Sequence, residues 1–187
     1  YRPVVTSLAS GGFVIAWQDA SGLGSADNSD DVRFARFDAF GARLTGAADT
    51  LANTTTPAAQ FDPSIAAGSN GKFVIAWSDS SGTSPDFDNR AVRFQIFNED
   101  GTKSGVEKIA NTSFQLSQDE PSVTVLAGGN IVVTWTAEIV SASSTTDIIR
   151  RVFDSAGNPL TGEQVVNTQT LGDQDHSTTH ALDSGGF

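Results

Sequence analysis

Gly71-Lys72-Phe73-Val74-Ile75-Ala76-Trp77 is the stretch on which the fold turns. It is short, β-branched and aromatic, and Asn70-Gly71 stands before it, so it reads as a strand entered from a hairpin turn. The same phrase occurs as Gly11-Gly12-Phe13-Val14-Ile15-Ala16-Trp17 and, more loosely, as Gly129-Asn130-Ile131-Val132-Val133-Thr134-Trp135. A fourth copy opens at Gly185-Gly186-Phe187. Phe13, Phe73, Ile131 and Phe187 stand 60, 58 and 56 residues apart, and every tryptophan of the chain falls on one repeat position. A fixed period of this length signals a repeat architecture.

Working outward, each unit repeats further. Val92-Arg93-Phe94-Gln95-Ile96-Phe97-Asn98 matches Val32 to Asp38 and Ile148 to Asp154, and each is followed by a glycine, Gly101, Gly41 or Gly157. Asp or Asn at the first position and Gly at the fourth suit a type I turn. Downstream lie Asn53-Thr54, Asn111-Thr112 and Asn167-Thr168, then Gln60, Gln118 and Gln174. A first strand (Val4 to Leu8, Ser64 to Ala67, Ser122 to Leu126) precedes each Trp strand. A third carries the Phe, and a fourth runs to Leu51, Ile109 or Val166. Each unit is therefore expected to be a four-stranded antiparallel meander. Units span approximately 3–62, 63–120 and 121–176, with 177–187 starting a fourth.

In Phe13-Val14-Ile15-Ala16-Trp17 both strand faces are apolar, and such a sheet must be covered on both sides. Stacked small sheets solve this, as in propeller blades or a β-solenoid, so the expected fold class is all-β: tandem four-stranded antiparallel units, with β-propeller-like blades the favoured arrangement. Three blades cannot surround an axis alone. The expected partners are further blades of the same parent chain or a second copy, giving a partial or oligomer-completed propeller. The absence of Met marks Tyr1 as something other than an initiator.

The chain has 187 residues, with 22 acidic and 11 basic side chains and a net charge of −11. Clustered Lys and Arg, the source of affinity for phosphates, are lacking, so nucleic acid is not an expected partner. No apolar run approaches the ~20 residues of a membrane helix, so no membrane span is expected. Without Cys, neither disulfides nor thiolate metal sites can form.

The repeated phrase, with Pro63-Ser64-Ile65 before it and Gly101 and Asn111-Thr112 after, resembles the blade-like repeats, roughly 60 residues long, of large secreted or surface bacterial proteins. Such repeats often accompany RTX-type calcium-binding nonapeptides in hemolysin-type and adhesin-like proteins. The resemblance implies an extracellular or cell-surface location and a structural or adhesive role. The RTX nonapeptide itself, Gly-Gly-x-Gly-x-Asp, does not occur here.

The loop after each Trp strand is irregular and, in two units, acid-rich. The first holds Asp19, Asp27, Asp30 and Asp31; the second holds Asp79, Asp86 and Asp88. Calcium takes six to eight oxygen ligands from carboxylates, amides and carbonyls, so calcium is the cofactor these loops suit. The third loop, 137–146, is acid-poor and is not expected to bind. Asp, Ser, Asn and Gly are also ordinary turn formers, and turn formation with solubility is the favoured reading of these loops over calcium.

Trp17, Trp77 and Trp135 read as blade-to-blade packing rather than sugar platforms. The three Gln read as hydrogen-bonding the chain between units. His176 and His180 are the only histidines; His176 takes the slot of Asp62 and Glu120, read as a plain surface position. No nucleophile elbow Gly-x-Ser-x-Gly occurs. Asn53-Thr54-Thr55 and Asn111-Thr112-Ser113 match glycosylation acceptors. The functional expectation is a non-enzymatic surface or secreted module, structural or adhesive. The alternative is a carbohydrate-binding, lectin-like propeller engaging surface glycans. An enzyme ranks last.

Overall fold

In the computed structural model each Trp segment is the second strand of a four-stranded meander. The structure describes residues 1–23, 27–44, 48–83, 85, 90–139, 146–169 and 171–187. Among these, the first sheet runs β1 (Val4–Ser7), β2 (Phe13–Asp19), β3 (Asp31–Phe37), β4 (Thr50–Leu51). The second runs β5 (Gln60–Ala67), β6 (Lys72–Asp79), β7 (Ala91–Asn98), β8 (Lys108–Ile109). The third runs β9 (Gln118–Val125), β10 (Ile131–Glu138), β11 (Thr146–Phe153), β12 (Gln164–Val165). All pairings are antiparallel between chain neighbours. These are propeller blades, as the sequence indicates.

The turns follow their residues. Gly11, Gly71, Gly129 and Gly185 sit at φ 93°, 71°, 84° and 90° in the repeated hairpin turn, a backbone region that glycine enters without a Cβ penalty. Asp38 Oδ1 accepts from the backbone N–H of Phe40 (2.9 Å) and Ala42 (2.8 Å), and Asp154 Oδ1 does the same for Ala156 and Asn158.

Blades stack through alternate faces of the same strands. The back of blade 1 (Val14, Ala16, Val32, Phe34, Ala52) packs on the front of blade 2 (Phe73, Ile75, Trp77, Phe97). The back of blade 2 (Val74, Ala76, Val92, Phe94, Ile96, Ala110) packs on the front of blade 3, including Ile131, Val133, Trp135 and Phe153. Phe34 meets Phe73 and Phe97 edge-on at 5.5 and 4.8 Å, and Phe94 meets Phe153 at 4.9 Å. Trp77 and Trp135 are buried in these seams, while Trp17 at the front of blade 1 is half-buried. Each fully buried large side chain contributes ~1.5–3 kcal/mol, so the seams are the core.

A polar clasp joins successive blades. Asn53 Oδ1 accepts from Val32 N–H, and its Nδ2 donates to Asp31, Thr55 O and Gln60 Oε1. Gln60 Nε2 donates onward to Pro57 O, Ala58 O and Asp79. Asn111 with Gln118 and Asn167 with Gln174 repeat the Asn–Gln bond at 3.1 Å each. Gln60 and Gln118 thus tie the segment leaving one blade to the first strand of the next, and Gln174 repeats the bond to Asn167 after blade 3. Asn53 and Asn111 are buried with their amides engaged, so as folded they do not present glycosylation acceptors.

Candidate functional site

β1, β5 and β9 lie side by side around a cavity of about 350 Å³, which residues 178–181 also line. Each is the first strand of its sheet, and β5 packs against both β1 and β9. Blade contacts there are made by backbone amides: Val123 N–H donates to Ser64 Oγ (3.0 Å), and Thr179 N–H donates to Ser122 Oγ (2.9 Å). Residues 177–187 lie outside the named strands among the described residues. Ser177 and Thr179 nevertheless bond the Thr134 hydroxyl of blade 3 at 2.9 and 2.8 Å.

At the mouth of the axis, β5 and β9 carry a bulge. The β5–β6 register shifts between Phe61 and Ser64, and the β9–β10 register shifts between Thr134 and Thr136. The extra residue is Asp62 in one blade and Glu120 in the next, at φ 51° and 53°. Arg2 and His176, in the same repeat position, take φ 49° and 55°. Non-glycine residues pay of order 1–2 kcal/mol for that region, and bulges re-aim side chains. Asp62 and Glu120 at the bulges, together with Arg2 and His176, line one cavity of about 330 Å³ with Pro63 and Pro121.

The four groups form two ion pairs across blades: Arg2 Nη1 to Asp62 Oδ1 at 2.6 Å and His176 Nε2 to Glu120 Oε1 at 2.8 Å. The carboxylates are the sheltered partners, 15% and 22% exposed against 61% for Arg2 and 69% for His176. Glu120 Oε2 also accepts from Thr136 Oγ1 (3.0 Å) and His176 N–H (3.3 Å). The backbone amides of Glu120 and His176 donate to hydroxyls of the preceding blade, Glu120 N–H to Ser78 Oγ and His176 N–H to Thr136 Oγ1. Burial raises the Asp62 carboxyl above the ordinary carboxylate range; Arg2 opposes this, while Glu120 and Asp119 add to it. The hydrogen bond to Asp175 and the charge of Glu120 raise the His176 imidazole. Two carboxylates from successive blades thus open into one cavity, each with a basic partner from another blade.

The slot of Asp62, Glu120 and His176 is therefore the rim of the axis and not a plain surface position. The available signal was that one repeat position carries Arg, Asp, Glu and His in turn. What hid it was the bulge, which no hydrophobic pattern marks.

The acid-rich loops are built differently. Asp19 pairs with Arg33 at 2.7 Å and accepts from Ser21 Oγ. Burial pushes its carboxyl up, but the bonds from Ser21 and Arg33 outweigh that and lower it. Asp27 accepts from Ser29 Oγ and Ala58 N–H, and Asp30 from Gln18 Nε2. Asp31 accepts from Asn53; burial raises its carboxyl. Asp79 is 1% exposed and takes bonds from Arg93, Ser81 and Gln60. Asp86 and Asp88 lie outside the described residues, as does most of the third loop. Among the described residues no group of three or more His, Asp or Glu side chains is arranged to hold a metal ion. Also among them, no helix is long and apolar enough to cross a membrane.

No family model matches the chain, and no curated protein does. Solved structures do. A thermostable family-43 glycoside hydrolase superposes with a TM-score of 0.60 at 14% identity, covering 99% of this chain and 62% of that one. The Penicillium chrysogenum α-L-arabinanase, complexed with arabinobiose, gives 0.56 at 16%, covering 89% and 50%. The endo-arabinanase of family 43 from Bacillus licheniformis gives 0.54 at 11%, covering 89% and 59%. The chain thus spans from half to about three-fifths of their length. The expectation of a non-enzymatic module, adhesive or lectin-like, with an enzyme ranked last, is corrected here. The three neighbours named above are glycoside hydrolases or arabinanases, and here two carboxylates from successive blades, which no single repeat unit displays, open into one cavity. At these identities the likeness establishes the fold: this chain is built as blades of the propeller type found in family-43 glycoside hydrolases.

Proposed function

We propose that the chain forms part of a glycoside-hydrolase-type propeller and that the axial pocket receives a glycan. Asp62 is placed to act as the proton donor to a leaving glycosidic oxygen, because burial and the neighbouring Glu120 favour its protonated form. Glu120, held by Thr136 and the His176 backbone, is oriented as the partner carboxylate, the second half of the pair that glycoside hydrolysis requires. Arg2 and His176 pair with the two acids and set the charge of the rim. One observation carries this reading: carboxylates from two successive blades, at one bulged position, open into one pocket.

The named activities of the structural neighbours make arabinan and arabino-oligosaccharides the first substrates to try, with other plant and microbial polysaccharides beside them. The purified protein is expected to release reducing ends from at least one, and Asp62→Asn and Glu120→Gln are each expected to remove that release. A protein that binds none of the panel and cleaves none would overturn the proposal. So would cleavage unaffected by both substitutions.

A further inference from the structure

The repeated hairpin turn carries glycine at one position, and the residue before it varies: Ser10, Asn70, Gly128 or Ser184. Asn70-Gly71 is the only Asn-Gly step in the sequence. It joins β5 to β6 in blade 2, which has a blade on either side. In the other three turns the glycine amide closes the turn. Gly11 N–H donates to Leu8 O at 3.0 Å, Gly129 N–H to Leu126 O at 2.8 Å and Gly185 N–H to Leu182 O at 2.9 Å. In the Asn70 turn, Gly68 N–H reaches Lys72 O at 2.9 Å, but among the described residues Gly71 N–H makes no closing bond of comparable geometry.

The Asn70 side chain folds back over that amide. Its Oδ1 accepts from Lys72 N–H at 3.2 Å, which keeps Cγ on the side of the intervening Gly71 nitrogen. Gly71 has no Cβ to block the approach and sits at φ 71°, where glycine moves at little cost. Asn70 is exposed, so solvent base and water reach it. The other steps of this kind lack one feature or another. Asn53 and Asn111 are buried, their amides are held by several bonds, and a β-branched Thr follows each. Asp100 Oδ1 accepts from Thr102 N–H at 2.9 Å in the same way, yet Gly101 N–H is tied to Asn98 O at 2.9 Å.

We propose that Asn70 is a site of spontaneous covalent modification, in which the folded turn converts its amide to a carboxylate through a cyclic imide. Solvent base takes the Gly71 N–H proton, and the nitrogen attacks Asn70 Cγ. The electron pair of the Cγ–Oδ1 bond moves onto Oδ1, where Lys72 N–H is already aimed at the developing charge. When the carbonyl reforms, the Cγ–Nδ2 bond breaks and Nδ2 leaves with a proton as ammonia. Water then opens the imide. Addition at Cγ gives aspartate, and addition at the backbone carbonyl gives isoaspartate, so the net change is amide plus water to acid plus ammonia. A Cβ on Gly129 would meet Asn70 Nδ2 at 3.3 Å, so the new carboxylate arises at the seam between blades 2 and 3. No residue of the axial pocket takes part, and the proposal is independent of the hydrolase reading.

Timed incubation of the folded chain, followed by peptide mass spectrometry, tests it. An acidic species one mass unit heavier should accumulate, with the change placed at Asn70 by fragmentation of the peptide that ends at Lys72. Asn53 lies in the same tryptic peptide and should keep its amide. Isoaspartate should accompany aspartate, detected by enzymatic methylation of the isoaspartyl carboxylate, and the rate should rise with pH because the Gly71 nitrogen must lose its proton. Asn70→Ser, which copies the Ser10 and Ser184 turns, should fold as the parent does by circular dichroism and form none of this species. An Asn70 amide that survives in the folded chain and converts only in urea overturns the proposal. So does an equal yield of the acidic species from Asn70→Ser. Aspartate formed without isoaspartate would mean direct hydrolysis and would overturn the imide route.

Discussion

Two regions of this molecule are rich in carboxylates, and they are built on opposite plans. In the outer loops, Asp19 and Asp79 are bound within their own blade, each to the arginine of the adjacent strand and to a serine two residues on. On the axial rim, Asp62 and Glu120 pair with groups contributed by other blades, from a bulge that turns their side chains into a shared cavity. The loops are denser in acids and more conspicuous in sequence. Convergence, and not local density, is what makes a site of charged residues, because chemistry needs several groups around one substrate atom.

The largest expected effect separates the two regions by activity. Glu120→Gln or Asp62→Asn should lower kcat/KM on a cleaved glycan by about 10²–10⁴-fold, while Asp19→Asn should leave it within a few-fold. Steady-state kinetics on one substrate decides this. Asp62→Asn should do so without lowering the melting temperature at any pH above the raised folded pKa of Asp62. The cost of burying the ionised Asp62 is present above its raised folded pKa and is relieved as pH falls through that value.

Stability should rank the regions in the reverse order. Arg93 in blade 2 is tied to Asp79 at 2.6 Å and Glu107 at 3.3 Å, with side-chain exposures of 9%, 1% and 6%. Arg93→Ala strands two buried acids and should cost about 3–5 kcal/mol in urea unfolding. Arg33→Ala breaks the counterpart in blade 1, where Asp19 is 22% exposed, and should cost clearly less. Equal losses at the two sites would show that burial does not distinguish the blades.

A smaller effect is expected from the clasp. Asn53→Ala leaves Val32 N–H and the Gln60 amide oxygen without that partner in a buried place, at about 1–3 kcal/mol. Smallest is the pH dependence of the rim. The folded His176 pKa is raised, so its pairing with Glu120 stabilises fully below the unfolded value of 6.5 and fades as pH rises through the folded one. His176→Asn should flatten that part of the melting-temperature profile by a small amount, since the imidazole is exposed.

The blades were legible because their determinants are local and recur: Phe-x-Ile-x-Trp alternates two apolar faces, Asp38 and Asp154 cap their turns, and Gly71 admits a left-handed turn. The clasp was legible in part, since Gln60 and Asn53 recur, though the buried Asp31 and Asp79 that complete it look like loop residues. The axial rim was not read. Asp62 and Glu120 stand 58 residues apart in the chain, and only the closure of successive blades around one cavity brings them together. The step beyond blades, to a structural or adhesive role, leaned on resemblance and had no convergent geometry to correct it.

The clasp also sets how the molecule opens. Blade 2 is held on both sides: Glu107 receives Thr54 and Thr55 from the preceding blade's exit, and Glu163 receives Thr112 and Ser113 from its own. Its strands β6 and β7 are buried along nearly their whole length, whereas β1 alternates half-buried and exposed residues and β12 is exposed, each with one neighbouring strand. Amide exchange should therefore be slowest in β6 and β7 and quicken stepwise toward both ends, the gradient of a short one-dimensional array whose middle member opens last.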